Sequence, residues 1–268
     1  MMNILEVKDL STYFSVPGAL STPGVLIKAV RDVSFNIEKG KVFGIVGESG
    51  SGKTLTALSI LKLVSSQGKI VGGSALFDGL DLLTLDEKIL RGIRGYKISI
   101  VFQEPASSFN PVFTIGEQIT ETIINHRRVD AGKARSLTLE YLNRAHIHDE
   151  KRIFHSYPHQ LSGGTKQRAM IAMAMVNSPQ LVILDEPTTA LDVTIQAQIL
   201  DLLKEIIERE KLSILFISHD FGIISRMCDH VAVMQRGSIV ETGDTRRVLN
   251  DPQDPYTISL LESVKALS

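Results

Sequence analysis

Residues 47–54 read Gly47-Glu48-Ser49-Gly50-Ser51-Gly52-Lys53-Thr54, which is the phosphate-loop pattern G-x-x-x-x-G-K-[ST]. The pattern constrains the fold because its chemistry needs a strand before it and a helix after it. Val42-Phe43-Gly44-Ile45-Val46 precedes it as an apolar run suited to a buried strand. The stretch from Leu55 to Leu63 follows with apolar residues at helical spacing. Gly47, Gly50 and Gly52 let backbone N–H groups turn inward around phosphate oxygens. The helix N-terminus adds a favourable partial positive charge. Lys53 is then placed to reach the β- and γ-phosphates of a nucleotide, and the Thr54 hydroxyl to ligate Mg²⁺.

Composition sets the outer bounds. A chain of 268 residues makes one large or two small domains. With 43% hydrophobic and 22% charged residues it reads as globular. The formal net charge of −1 gives no basic surplus, so no nucleic-acid partner is expected. The one cysteine, Cys228, rules out a disulfide framework or a cysteine metal cluster, and a reducing compartment is the default. The first ten residues carry charges inside their apolar pattern and resemble no signal peptide. No apolar run approaches the roughly 20 residues of a membrane span. If the protein works at a membrane, other chains supply the spans.

Along the chain, Ile4, Leu5, Val7 and Leu10 suggest a first strand, with Tyr13 and Phe14 after it and a loop through Pro23-Gly24. A second strand is expected over residues 26–30, and a third where Val33, Phe35 and Ile37 alternate. An aromatic ahead of the phosphate loop suits adenine stacking or an ordinary strand edge. Residues 65–73 read as a polar link and 73–83 as a strand and turn. Ile98 to Phe102 reads as a buried strand ending at Gln103, whose amide can reach Mg²⁺ and an attacking water. Residues 104–113 form a loop containing Pro105, and 115–125 and 134–145 read as helices. The block at about 104–165 breaks the strand–helix alternation and looks like a helical insertion in an α/β core.

Leu161-Ser162-Gly163-Gly164 opens a helix over 165–177. A serine cap before paired glycines suits a plain helix start and a backbone that admits a ligand equally well. Leu181-Val182-Ile183-Leu184 suits a parallel strand covered on both faces, and it ends in Asp185-Glu186. Carboxylates at that end lie where open α/β sheets bind ligands. Asp185 is expected to help hold Mg²⁺ and Glu186 to act as general base on the attacking water. An amphipathic helix follows Asp192, and Ser213 to Ile217 is an apolar strand ending in Ser218-His219-Asp220, where His219 can contact a γ-phosphate. Residues 231–240 form a hairpin about Arg236-Gly237, and the tail at about 244–268 is helical with a break at 251–255.

Taken together, the phosphate loop, Gln103, Leu-Ser-Gly-Gly, Ile-Leu-Asp-Glu-Pro and Ile-Ser-His-Asp follow one another in a set order. This order resembles the nucleotide-binding subunit of ATP-binding cassette (ABC) transporters over nearly the whole chain. The resemblance implies a P-loop NTPase (RecA-like) α/β core with an N-terminal antiparallel β-subdomain and an inserted α-helical subdomain. It implies ATP and Mg²⁺ as cofactors, and hydrolysis to ADP and phosphate. Phe14 matches the adenine-stacking aromatic, with Tyr13 the second candidate; Gln103 matches the residue that senses Mg²⁺, water and the membrane subunit. Asp192 and His219 match the D-loop and switch positions. Ser162, Gly163 and Gly164 are implied to contact the ATP held by an opposite subunit. Thr165 departs from the glutamine usual there, which is expected to tune rather than abolish that contact.

A narrower resemblance, to the peptide and nickel importer branch, rests on Phe102-Gln103-Glu104-Pro105 through Gln118, on Tyr157-Pro158-His159-Gln160 and on Asp254-Pro255-Tyr256-Thr257. It implies an ATPase subunit peripheral to the cytoplasmic face of the membrane. The implied partners are transmembrane permease subunits, a second ATPase subunit in a homodimer or heterodimer, and indirectly an extracytoplasmic solute-binding protein. Branch members often carry a cysteine-rich tail for an iron–sulfur cluster; with only Cys228 and a last residue Ser268, no cluster is expected. The cargo is expected to be di- or oligopeptides, with nickel or a metallophore as the alternative. A soluble ABC ATPase uncoupled from transport is a further alternative, though such proteins usually carry a coiled-coil insertion or two cassettes. In the 104–118 loop, Phe109 and Phe113 are expected to line a groove for a partner helix and Val112 to tuck into the core.

Overall fold

Two 14-residue strands, β1 (Asn3–Val16) and β2 (Val25–Glu38), open the fold as an antiparallel pair running from Asn3↔Glu38 to Val16↔Val25. The computed structural model describes residues 2–16, 25–104, 108–189 and 191–266. Pro23-Gly24, Pro105 and Ala190 therefore lie outside the described residues. The chain divides into two units, Met1–Leu90 with Ser213–Ser268, and Arg91–Leu212.

In the first unit, the two strands expected between 26 and 37 are one strand, β2. Asp32 absorbs the irregularity as a residue of positive φ (51°) rather than as a turn. Its N–H donates to the Ser11 hydroxyl at 3.0 Å, and that hydroxyl donates to the Asp32 carboxylate at 3.0 Å. The local pairing is thus kept across the register shift. On the other side of β1, β4 (Gly68–Phe77) pairs antiparallel and leads to the short β5 (Leu80–Asp81), giving the order β2–β1–β4–β5. β4 begins inside the stretch expected to be a polar link, because Gly68, Lys69, Ile70 and Gly72 pair onto β1.

The same unit holds β3 (Val42–Val46) between β8 (Ser213–Ser218) and β9 (His230–Gln235), parallel to both, with β10 (Ser238–Asp244) antiparallel on β9. Every residue of β3 and β8 is buried, as mainly apolar runs require of strands covered on both faces. Phe35 of β2 stacks on Phe43 of β3 with ring centroids 4.9 Å apart, joining the two sheets of this unit. Helices α1 (Lys53–Ile60), α8 (Phe221–Met227), α9 (Thr245–Asn250) and α10 (Pro255–Ala266) complete it. A further short helix, α2 (Glu87–Ile93), was not anticipated from the sequence.

The second unit contains the parallel pair β6 (Ile98–Val101) and β7 (Leu181–Asp185), in register from Ile98↔Leu181 to Val101↔Leu184. Its helices are α3 (Ile115–His126), α4 (Ala131–Arg144), α5 (Glu150–Phe154), α6 (Gly163–Met175) and α7 (Val193–Glu210). Their starts are chemically marked. Thr114 and Glu117 form a reciprocal capping box on α3, Asp130 caps α4, Ser162 caps α6 and Asp192 caps α7. Among the described residues, no helix is long and apolar enough to cross a membrane.

Candidate functional site

The phosphate loop leaves the C-terminal end of β3, a central strand. Met234 follows the in-register pair Val46↔Val233, and its carbonyl would stand 2.2 Å from a Cβ at Gly47. At Gly52 the backbone has φ 106°, and a Cβ would meet the Ala29 carbonyl at 2.5 Å. Both positions therefore demand glycine, one by close approach and the other by close approach and conformation together. The Gly237 N–H donates to the Ser51 carbonyl at 2.8 Å, so the β9–β10 turn braces the loop from behind. Lys53 is almost fully buried, and its ammonium donates to the carbonyls of Gly47 and Glu48, each at 2.9 Å. A buried ammonium held at the mouth of a helix N-terminus is a ready partner for phosphate oxygens. Thr54 occupies the first turn of α1, half-buried.

His219 follows β8. The pair Val46↔Ser218 brings Gly47 and His219 off the same end of neighbouring strands. His219 is exposed there, and Asp220 caps α8 by accepting from the N–H groups of Gly222 and Ile223. Phe14 and Tyr13 separate. The Phe14 ring lies over Gly68, where a Cβ would come within 2.7 Å of it, while Tyr13 lies beneath the Lys28 ammonium at 5.5 Å. Cys228 packs against Gly44, and burial pushes its thiol far above the usual range, the mark of a structural rather than a reactive cysteine.

In the second unit, the pair Val101↔Leu184 brings Gln103 and the Asp185-Glu186 pair to one end of the two strands. Asp185 is 2% exposed. Glu186 adopts φ 46°, a conformation that costs a non-glycine residue about 1–3 kcal/mol and recurs at functional sites. Two donors converge on its Oε2: the Gln103 amide at 3.1 Å and the Thr189 hydroxyl at 2.8 Å. The carboxylate is thus aimed as well as present. Thr189 was not singled out from the sequence; its spacing of three residues from Glu186, across a turn, was the available signal.

Ser162, Gly163, Gly164 and Asp192 come together in the same unit. A Cβ at Gly164 would stand 2.7 Å from Ile195 Cγ2, and one at Gly163 3.4 Å from Leu191, so α6 starts against the start of α7. The Ser162 hydroxyl accepts from the Thr165 N–H at 3.3 Å and pairs with the Thr165 hydroxyl at 2.8 Å. Thr165 therefore reinforces the cap where the family usually has glutamine.

The 104–118 loop corrects two expectations. Phe109 is buried (3% exposed), and Val112 is at the surface (69%); Phe113 is half-exposed as expected (49%). The reason is Gln118 on α3, which accepts from the Asn110 N–H and donates to the carbonyls of Asn110 and Phe113. One side chain folds residues 110–113 into a tight projecting turn, with Phe109 at its buried root.

A phosphate loop on a strand–helix junction, an aimed carboxylate pair and a capped Ser-Gly-Gly helix start define an ATPase cassette of the P-loop class. The chain belongs to the ABC transporter family, which matches residues 30–189. It is 44% identical to the oligopeptide transport ATP-binding protein OppD of Bacillus subtilis, over 98% of this chain and 72% of that protein. It is 49% identical to the peptidoglycan transport ATP-binding protein YejF of Agrobacterium fabrum, over 96% of this chain but 46% of that protein. Among solved structures it resembles the dimeric ATP-binding cassette MJ0796 in a post-hydrolysis state with ADP and phosphate. There the TM-score is 0.78 and the identity 28%, over 90% of this chain and 99% of that one.

Proposed function

We propose that this chain is the ATP-binding and ATP-hydrolysing subunit of an importer for di- and oligopeptides, acting at the cytoplasmic face of the membrane beneath partner permease subunits. The observation that carries the reading is Glu186, held by Gln103 and Thr189 directly after the buried Asp185. In this reading the residues of the loop from Gly47 to Thr54 bind the ATP phosphates, with Lys53 as the charged partner. Glu186 takes a proton from the attacking water, whose oxygen adds to the γ-phosphorus as ADP leaves. Gln103 and Thr189 fix the Glu186 carboxylate, and His219 contacts the γ-phosphate.

Asp185, Thr54 and the Gln103 amide oxygen are hard oxygen donors, the set that suits Mg²⁺ beside substrate phosphates. Held by these residues, Mg²⁺ would supply charge neutralisation on the phosphates. A second cassette, identical or related, receives Ser162, Gly163, Gly164 and Asp192 against its own ATP. The peptide cargo rests on relatives named for oligopeptide and dipeptide transport. Selection of cargo is left to the permease and an extracytoplasmic binding protein.

The test is reconstitution. The chain, expressed with its permease subunits, should co-purify with them, release phosphate from MgATP and drive peptide uptake into vesicles. ATP turnover without any association with membrane subunits would overturn the transport role and leave a soluble ATPase.

A further inference from the structure

We infer that Tyr256, in the C-terminal tail, is a positioning residue for the phosphate loop, holding Glu48 in place before nucleotide binds. The inference rests on the ATP-binding reading above and goes beyond it. The contact is direct: the Glu48 backbone N–H donates to the Tyr256 hydroxyl at 3.4 Å. On its other side the same residue is already held, because its carbonyl accepts from the Lys53 ammonium at 2.9 Å and from the Ser51 N–H at 3.2 Å. Residue 48 is thus tied through both of its peptide groups, in a loop whose glycines would otherwise leave it free to wander.

Tyr256 is itself aimed by a fixed frame. Glu241 on β10 accepts from the N–H groups of Gln253 and Asp254, at 2.8 and 3.1 Å, which docks the tail onto the hairpin. Asp254 then accepts from the N–H groups of Tyr256 and Thr257, starting α10, whose Thr257 is fully buried. Burial raises the pKa of the phenol; the Glu48 N–H works against this, and the negative charge of Glu48 adds to it. The hydroxyl therefore stays protonated through neutral pH, and its oxygen accepts from the Glu48 N–H.

Binding a nucleotide means ordering this loop, and that costs conformational entropy. A contact that holds Glu48 beforehand lowers the cost, which is preorganisation. The hydrogen bonds of Tyr256 go to Glu48 and Asp254, neither of which is proposed for the chemical step, so its loss should act on ground state and transition state alike. The experiment compares wild-type protein with Tyr256→Phe, which removes the hydroxyl and keeps the ring. Three readouts are needed: melting temperature without nucleotide, Kd for ATP by competition with a fluorescent analogue, and the split between KM and kcat.

Melting should agree within about one degree, while Kd and KM rise about threefold, as for one long hydrogen bond, with kcat unchanged. An unchanged Kd would overturn the inference. So would a Kd change accompanied by melting several degrees lower, which would make the hydroxyl a structural support. Failure of the wild-type protein itself to bind ATP would overturn the ATP-binding reading and this inference with it.

Discussion

Glu186 shows what a single residue must carry. It is a non-glycine residue at φ 46°, following a buried aspartate, with two side-chain donors on one oxygen. Strain of that kind persists only where the surroundings enforce it. Glu186→Gln keeps the shape and removes the base. It should bind MgATP normally, yet hydrolyse it ~10²–10⁴-fold more slowly, and it should accumulate as an ATP-bound dimer. Phosphate-release kinetics on the purified variant check the first half and sizing with ATP the second. Near-normal turnover would mean that another group takes the proton. The pattern Asp-Glu after four branched apolar residues was legible from the sequence. The partnership of Thr189 and Gln103 was not, because it depends on a turn and on a strand 83 residues away in the chain.

At the scale of elements, the 110–113 turn and the C-terminal tail each yield a measurable consequence. Phe109 is buried and Phe113 half-exposed, so their substitutions should separate cleanly. Phe109→Ala should destabilise the fold by about 3–5 kcal/mol, the usual cost of emptying an aromatic core position, read as an early thermal transition. Phe113→Asp should melt like wild type and keep its affinity for ATP while losing co-purification with permease subunits and transport. A Phe113→Asp protein that still transports at full rate would remove this turn from the coupling route.

In the tail, burial works to raise the pKa of Glu241, but the N–H groups of Gln253 and Asp254 and the Arg247 charge bring it below the usual value. A carboxylate with a lowered folded pKa stabilises the fold fully above its unfolded pKa, about 4.3, and loses that contribution as pH falls through the folded value. Wild-type melting should therefore drop more steeply below about pH 4.3 than that of Glu241→Gln, which starts lower at neutral pH and has no such proton to gain. Parallel melting curves of the two proteins against pH would show that Glu241 does not dock the tail.

On the scale of the whole molecule, the Ser-Gly-Gly start of α6 and the Asp192 start of α7 meet in one unit, and they are proposed to serve a partner's ATP. Ser162→Arg should then leave ATP binding by the isolated chain intact and stop ATP-driven dimerisation, most clearly in a Glu186→Gln background. Titration of the monomer and sizing with ATP measure the two properties separately. Loss of nucleotide binding in the monomer would show that these residues act on the chain's own nucleotide.

The sequence by itself determined the parts whose signals are local. The phosphate loop between strand and helix, the capped helices after Ser162 and Asp192, the buried runs of β7 and β8 and the hairpin about Gly237 all follow from short-range patterns of apolarity, glycine and capping groups. Tertiary structure alone decided whatever depends on pairing between distant segments. Asp32 became a bulge inside one long strand because β1 runs unbroken beside it, and Lys69 to Val71 became strand because β1 had an edge to fill. Phe109 went inside and Val112 outside because Gln118, on the next helix, holds the turn between them. Tyr256 reached Glu48 across 208 residues of chain because Glu241 and Asp254 fix the tail that carries it. Local propensity can mark a turn, a cap or a strand, but a side chain's environment is set by which remote backbone comes to lie against it.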